Sequence, residues 1–175
     1  STLRYRSFKK LDLRSRQTTR LTYDPSIGTS PSFSPDGQTL YTQSSSSTRL
    51  WDVATGRQLA NIDFGGDAVS WAPDGMHILA THDDGTLYIW DTVAMTYTQS
   101  PITHTAALWW AAYSPDGRSI LTSSSSITDT TAQVWDAATG RPLQVFHGAA
   151  PFTEGLAWSP DGRYVVTGDR DNLAR

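Results

Sequence analysis

Three short motifs return along this chain, interleaved and nearly in step. A Pro-Asp-Gly turn occurs at Pro35-Asp36-Gly37, Pro73-Asp74-Gly75, Pro115-Asp116-Gly117 and Pro160-Asp161-Gly162, in copies 38, 42 and 45 residues apart. A Trp-Asp pair occurs at Trp51-Asp52, Trp90-Asp91 and Trp135-Asp136, 39 and 45 residues apart. Two of these pairs lead into Ala-Thr-Gly-Arg, at Ala54–Arg57 and Ala138–Arg141. A chain whose turn, aromatic and carboxylate markers share one period is built from copies of a single supersecondary unit. One such unit cannot bury its apolar face alone, so neighbouring copies must stack.

Each unit reads as four short strands. A strand such as Ala68–Trp71 or Gly155–Trp158 precedes the Pro-Asp-Gly turn, where Pro fixes φ and Gly allows the left-handed corner. A second strand follows, such as His77–Thr81 or Tyr164–Thr167. A polar hairpin and a third strand ending in Trp-Asp come next, then a turn and an outer strand such as Arg141–Phe146. Apolar and polar residues partly alternate, and no stretch keeps a 3.6-residue period, so helix is not expected. Sixteen of the seventeen acids are Asp, which suits turns because its short carboxylate binds nearby backbone N–H groups. Cysteine is absent, which removes disulfides, thiolate metal sites and thiol nucleophiles. No apolar run approaches the ~18 residues of a membrane span, and no signal peptide is visible.

The three markers together resemble the WD-repeat family, in the style of its regular bacterial repeats, most clearly over residues 29–175. The resemblance implies an all-β β-propeller of four-stranded antiparallel blades. It predicts half a blade at 1–23, blades at 24–63, 64–100 and 101–147, and an incomplete blade at 148–175. About four blades' worth of a seven-bladed ring is then expected, since seven blades need ~300 residues at this period. A closed four-bladed ring, its terminal halves joined, is the alternative. An open arc would expose edge strands and apolar faces and invite self-association.

The resemblance also implies a structural tetrad that ties strands together through buried hydrogen bonds. His104, Ser123, Asp129 and Trp135 are its expected members in one unit. Thr81, Asp84 and Trp90 match without a His in the unit before, and Thr167 and Asp171 fit in the last unit. A Ser-His-Asp hydrolase needs a base within reach of the nucleophile and an oxyanion hole. No Gly-x-Ser-x-Gly elbow is present, and the fold already accounts for these residues, so no catalytic residue is assigned. His82-Asp83-Asp84 and Asp169-Arg170-Asp171 are rich in oxygen ligands, yet each sits in an expected hairpin with one structural Asp. No metal or cofactor is expected.

Trp109 is the one of seven Trp without a structural slot. In WD proteins its position looks toward the channel mouth on the top face. Thr29, Asp67 and Glu154 match it in other units, and Asp83, Thr128 and Arg170 crown the same face. An aromatic among acids reads as an anchor for a protein or peptide partner. Trp71, Trp110 and Trp158 are expected at inward positions of first strands. Residues 1–20 hold seven basic groups against Asp12 alone, a net +6 that leaves −9 for the rest. The cluster is short and reads as a solvated strand pair, not a nucleic-acid site. The expected function is a non-catalytic, cytoplasmic interaction scaffold without membrane or nucleic-acid partners. A propeller accessory to a peptidase, hydrolase or periplasmic system is the other reading.

Overall fold

Every turn marker of the repeat closes a hairpin, and the closure is local chemistry. In the Ser-Pro-Asp-Gly copies the serine hydroxyl donates to the aspartate, at 2.6 Å for both Ser114–Asp116 and Ser159–Asp161. The same serine oxygen accepts the N–H five residues on, as Ser114 does from Ser119 at 2.9 Å. The glycine N–H reaches back to the serine carbonyl, and Gly37, Gly117 and Gly162 have φ near +70°. After Trp-Asp, the aspartate caps a second turn. Asp136 accepts from Thr139 N at 2.8 Å and Thr139 Oγ1 at 2.7 Å, and Asp52 does the same with Thr55.

The computed structural model describes residues 9–11, 14, 16–20, 31–43, 48–62, 69–82, 84–104, 107–124, 131–147 and 153–169. Among these there is no helix. The strands are β1 (Lys9–Leu11), β2 (Thr18–Arg20), β3 (Ser32–Phe33), β4 (Thr39–Gln43), β5 (Thr48–Asp52), β6 (Gln58–Ile62), β7 (Val69–Trp71) and β8 (His77–Thr81), then β9 (Thr86–Asp91), β10 (Thr96–Thr103), β11 (Leu108–Tyr113), β12 (Ser119–Ser124), β13 (Thr131–Asp136), β14 (Pro142–His147), β15 (Thr153–Trp158) and β16 (Val165–Asp169). Three four-stranded antiparallel sheets run β3-β4-β5-β6, β7-β8-β9-β10 and β11-β12-β13-β14, and β1-β2 and β15-β16 are two-stranded. The four-stranded sheets are propeller blades, each one copy of the repeat. β10 runs to Thr103, past the blade boundary expected after residue 100. An irregularity between Gln99 and Thr103 shifts its register against β9, while Ser100 and Ile102 stay buried.

The chain forms two compact units, Ser1–Gly65 and Gly66–Arg175. In the first, Leu40, Trp51 and Val53 pack together on the β3–β6 blade. In the second, neighbouring blades share their cores. Leu79 and Leu87 of one blade pack with Leu108, Ala111, Ile120 and Trp135 of the next. Leu121 and Val134 of that blade pack with Leu156, Trp158 and Val165 of the one after. The turns stack too: a Cβ on Gly117 would sit 3.7 Å from Pro73, and one on Gly162 3.7 Å from Pro115.

Register corrects one inward aromatic. Trp71 pairs with Ile78 and Trp158 with Val165, and the equivalent pair in the middle blade is Tyr113 with Ile120. Trp110 lies three residues earlier and is 40% exposed. Tyr113 directly precedes its Ser-Pro-Asp-Gly turn, as Trp158 does, and that fixed distance decides the slot.

Candidate functional site

Each blade has two ends. One carries the Pro-Asp-Gly and Trp-Asp turns. The other carries the β8–β9 hairpin, the starts of β11 and β15, and His104. At this second end His104 N donates to Gly85 O at 3.0 Å, linking the hairpin of one blade to the segment that begins the next. The His104 ring is buried and meets Trp135 edge-on, with centroids 6.0 Å apart. Trp135 Nε1 donates to Thr122 Oγ1 at 2.8 Å, and Trp51 Nε1 to Thr42 Oγ1 at 2.8 Å.

The hydroxyl that serves Trp135 is therefore Thr122, not Ser123. Neighbouring strand residues point to opposite faces, and Trp135 lies opposite Ile120, which puts Thr122 on its face and Ser123 on the other. The same shift moves the position in the preceding blade from Thr81 to Ala80, which has no hydroxyl. Trp90 Nε1 is accordingly buried without a hydrogen-bond partner among the described residues. Thr42, Ala80, Thr122 and Thr167 all stand five residues past the glycine of their turn, a spacing that would have found the slot from sequence. Thr167 thus holds that register position on β16. Asp129 and Asp171 lie outside the described residues.

Asp84 departs from the buried role expected of it. Its side chain is 55% exposed, 3.1 Å from His82 Nδ1, and caps Thr86 N at 2.9 Å. This unit has no His in the tetrad slot to draw the carboxylate inward. Hydrogen bonds from Thr86 chiefly hold its pKa below the usual 3.8. Thr122 and Ser123 are each 0% exposed, so neither offers its hydroxyl to a substrate. No three His, Cys, Asp or Glu side chains among the described residues are placed to share a metal ion.

The structure brings two of the expected partner-binding residues to one kind of place. In β11, Leu108 pairs with Ser124 and Trp110 with Ser123, so Trp109 is the extra residue of a β-bulge. In β15, Thr153 pairs with Asp169 and Gly155 with Gly168, so Glu154 is the extra residue of an equivalent bulge. Such a bulge interrupts the ladder at one residue. Thr29, Asp67, Asp83, Thr128 and Arg170 lie outside the described residues.

The model of the WD domain, G-beta repeat, matches residues 67–91, 95–136 and 140–175, more than half of the chain. The chain belongs to the WD40 repeat family. Among curated proteins, these repeats are similar to the chromatin assembly factor 1 subunit FAS2 homolog of Oryza sativa subsp. japonica. The two are 25% identical over 115 residues, covering 62% of this chain and 22% of that protein. WD repeat-containing protein slp1 of Schizosaccharomyces pombe is 24% identical over 99 residues, covering 57% and 20%. The WD40 chain thus matches about a fifth of each relative's length. Its fold is similar to that of a chain of Kuenenia stuttgartiensis hydrazine synthase, with TM-score 0.69 and 19% identity over 78% of this chain and 40% of that one.

Proposed function

We propose that these WD40 repeats form a non-catalytic scaffold that binds a peptide or protein segment at the blade end carrying Trp109 and Glu154. WD40 repeats generally mediate protein–protein interaction, and one relative is named as a subunit of an assembly factor. The observation that carries the reading is the shared bulge. Two successive blades interrupt their first strand at the same register, one with an aromatic and the next with the chain's only Glu. An aromatic and an acid at the same register of successive blades suit a segment with an apolar side chain flanked by a basic one. The buried hydroxyls of the tetrad region support a structural role for it. For a propeller accessory to an enzyme, the likeness to hydrazine synthase offers only the fold.

Panning a random peptide library against the chain tests the reading. Selected peptides should lose at least about tenfold in affinity with Trp109→Ala, the loss typical of an interface anchor, and also weaken with Glu154→Lys. Peptides that bind both variants as they bind the wild type would contradict it.

A further inference from the structure

At the opposite blade end of the second unit, a cleft of about 350 Å³ opens between two blades. Asp74 and His77 line it from the β7–β8 side, and Tyr113 and Asp116 from the next blade. Ala72 and Ala137 leave the space open. The volume lies at the small end of ligand sites.

The first wall departs from the repeat. Three of the four Pro-Asp-Gly turns begin with Ser, whose hydroxyl binds the turn aspartate. The fourth begins with Ala72. Without a serine, Asp74 accepts Met76 N at 2.8 Å and His77 N at 3.1 Å, and its other oxygen meets His77 Nδ1 at 2.7 Å. His77 stands where other copies have Thr39, Ser119 and Tyr164, and its Nε2 is 4.0 Å from Asp91. Burial raises the Asp74 pKa, but the hydrogen bonds from His77 and Met76 outweigh it and hold the carboxyl below 3.8. The Ser114 hydroxyl and then Arg118 N lower that of Asp116. Burial, then the charge of Asp74, pushes the Tyr113 phenol up to about 12. At neutral pH two carboxylates and a neutral phenol therefore line the cleft, together with the His77 ring that engages one Asp74 oxygen. No Lys or Arg lines it, and the described residues offer no metal-ligand set.

We propose that this cleft is a second docking point, which takes one arginine side chain from a basic segment of a protein partner. Arginine suits it because its guanidinium is always charged, presents five donors and stacks on aromatic faces. Phosphate-bearing partners would be repelled by the same pair of charges. The site is independent of Trp109 and extends the scaffold reading to the other face.

The probe is the peptide acetyl-Gly-Arg-Gly-amide, titrated into the nitrogen-15-labelled chain, with the uncharged citrulline peptide as comparison. The arginine peptide should shift the amides of Ala72, Asp74, His77, Tyr113, Asp116, Gly117 and Ala137, and the citrulline peptide should not. Asp74→Asn with Asp116→Asn should weaken binding by at least about tenfold, as loss of close charge partners does. Asparagine keeps the Oδ1 that accepts the turn N–H groups, so an unchanged amide spectrum of the free double variant shows an intact fold. Trp109→Ala should leave this binding as it is, which separates the two faces. Equal shifts with both peptides, shifts confined to other residues, or full binding by the intact double variant would overturn the proposal.

Discussion

Trp51 and Trp135 each reach a threonine across one strand, and Trp90 reaches toward an alanine. A buried donor without a partner costs ~1–3 kcal/mol, and a typical hydrogen bond returns ~1 kcal/mol. Ala80→Thr should therefore raise stability by about 1 kcal/mol, and Thr122→Ala should lower it by ~1–3 kcal/mol. Urea unfolding checks both. A destabilised Ala80→Thr chain would contradict the register that puts Thr122 and Ala80 in one slot. Glycine offers a second test at this scale. Gly37 and Gly140 both have φ near +70°. A Cβ on Gly37 would meet nothing within 4 Å, but on Gly140 it would lie 2.8–2.9 Å from Pro101. Gly37→Ala should cost ~1 kcal/mol for the left-handed backbone. Gly140→Ala should cost about 1 kcal/mol or more beyond that, since Pro101 must move. Equal losses would place Pro101 elsewhere.

At the scale of the hairpin, the turns tie stability to ionised aspartates. Asp36, Asp116 and Asp161 are lowered chiefly by their serine hydroxyls, and Asp52 and Asp136 by Thr55 and Thr139. A depressed folded value adds stability that is fully present above the unfolded value near 3.8 and is lost as pH falls through the folded value. Asp136→Asn should therefore destabilise at pH 7 and match the wild type once pH falls below the folded values. Urea unfolding from pH 7 to pH 2 reads this directly, and a gap that stayed constant would contradict it. These turns were legible in the sequence because Pro, Asp and Gly act within a few residues. Strand register was harder to read. Ser123 and Thr122 look alike in a run of hydroxyl residues, and only the pairing opposite Trp135 separates them. The bulges at Trp109 and Glu154 were likewise hidden, because a bulge is defined by its partner strand. The cleft at Asp74 was less legible still. Its signal was the substitution of Ala72 and His77 into an otherwise regular turn.

On the scale of the molecule, the repeat explains why the blades hold together and where they are free to vary. Within Gly66–Arg175 the two described clusters each draw on two blades through apolar side chains. The two blade ends join blades through turn and backbone links instead, such as Gly117 beside Pro73 and His104 N on Gly85 O. One gathers His104 and the bulges of β11 and β15, and the other holds the Asp74–Asp116 cleft. A scaffold needs such an arrangement: a stiff array of sheets that presents short variable segments. Placing a library-selected peptide on the chain, by co-crystallisation with amide-shift mapping in solution, tests this most directly. The account predicts a peptide seated against Trp109 with Glu154 beside it. A peptide held wholly by outer strands such as β14, and bound equally well by Trp109→Ala, would contradict it.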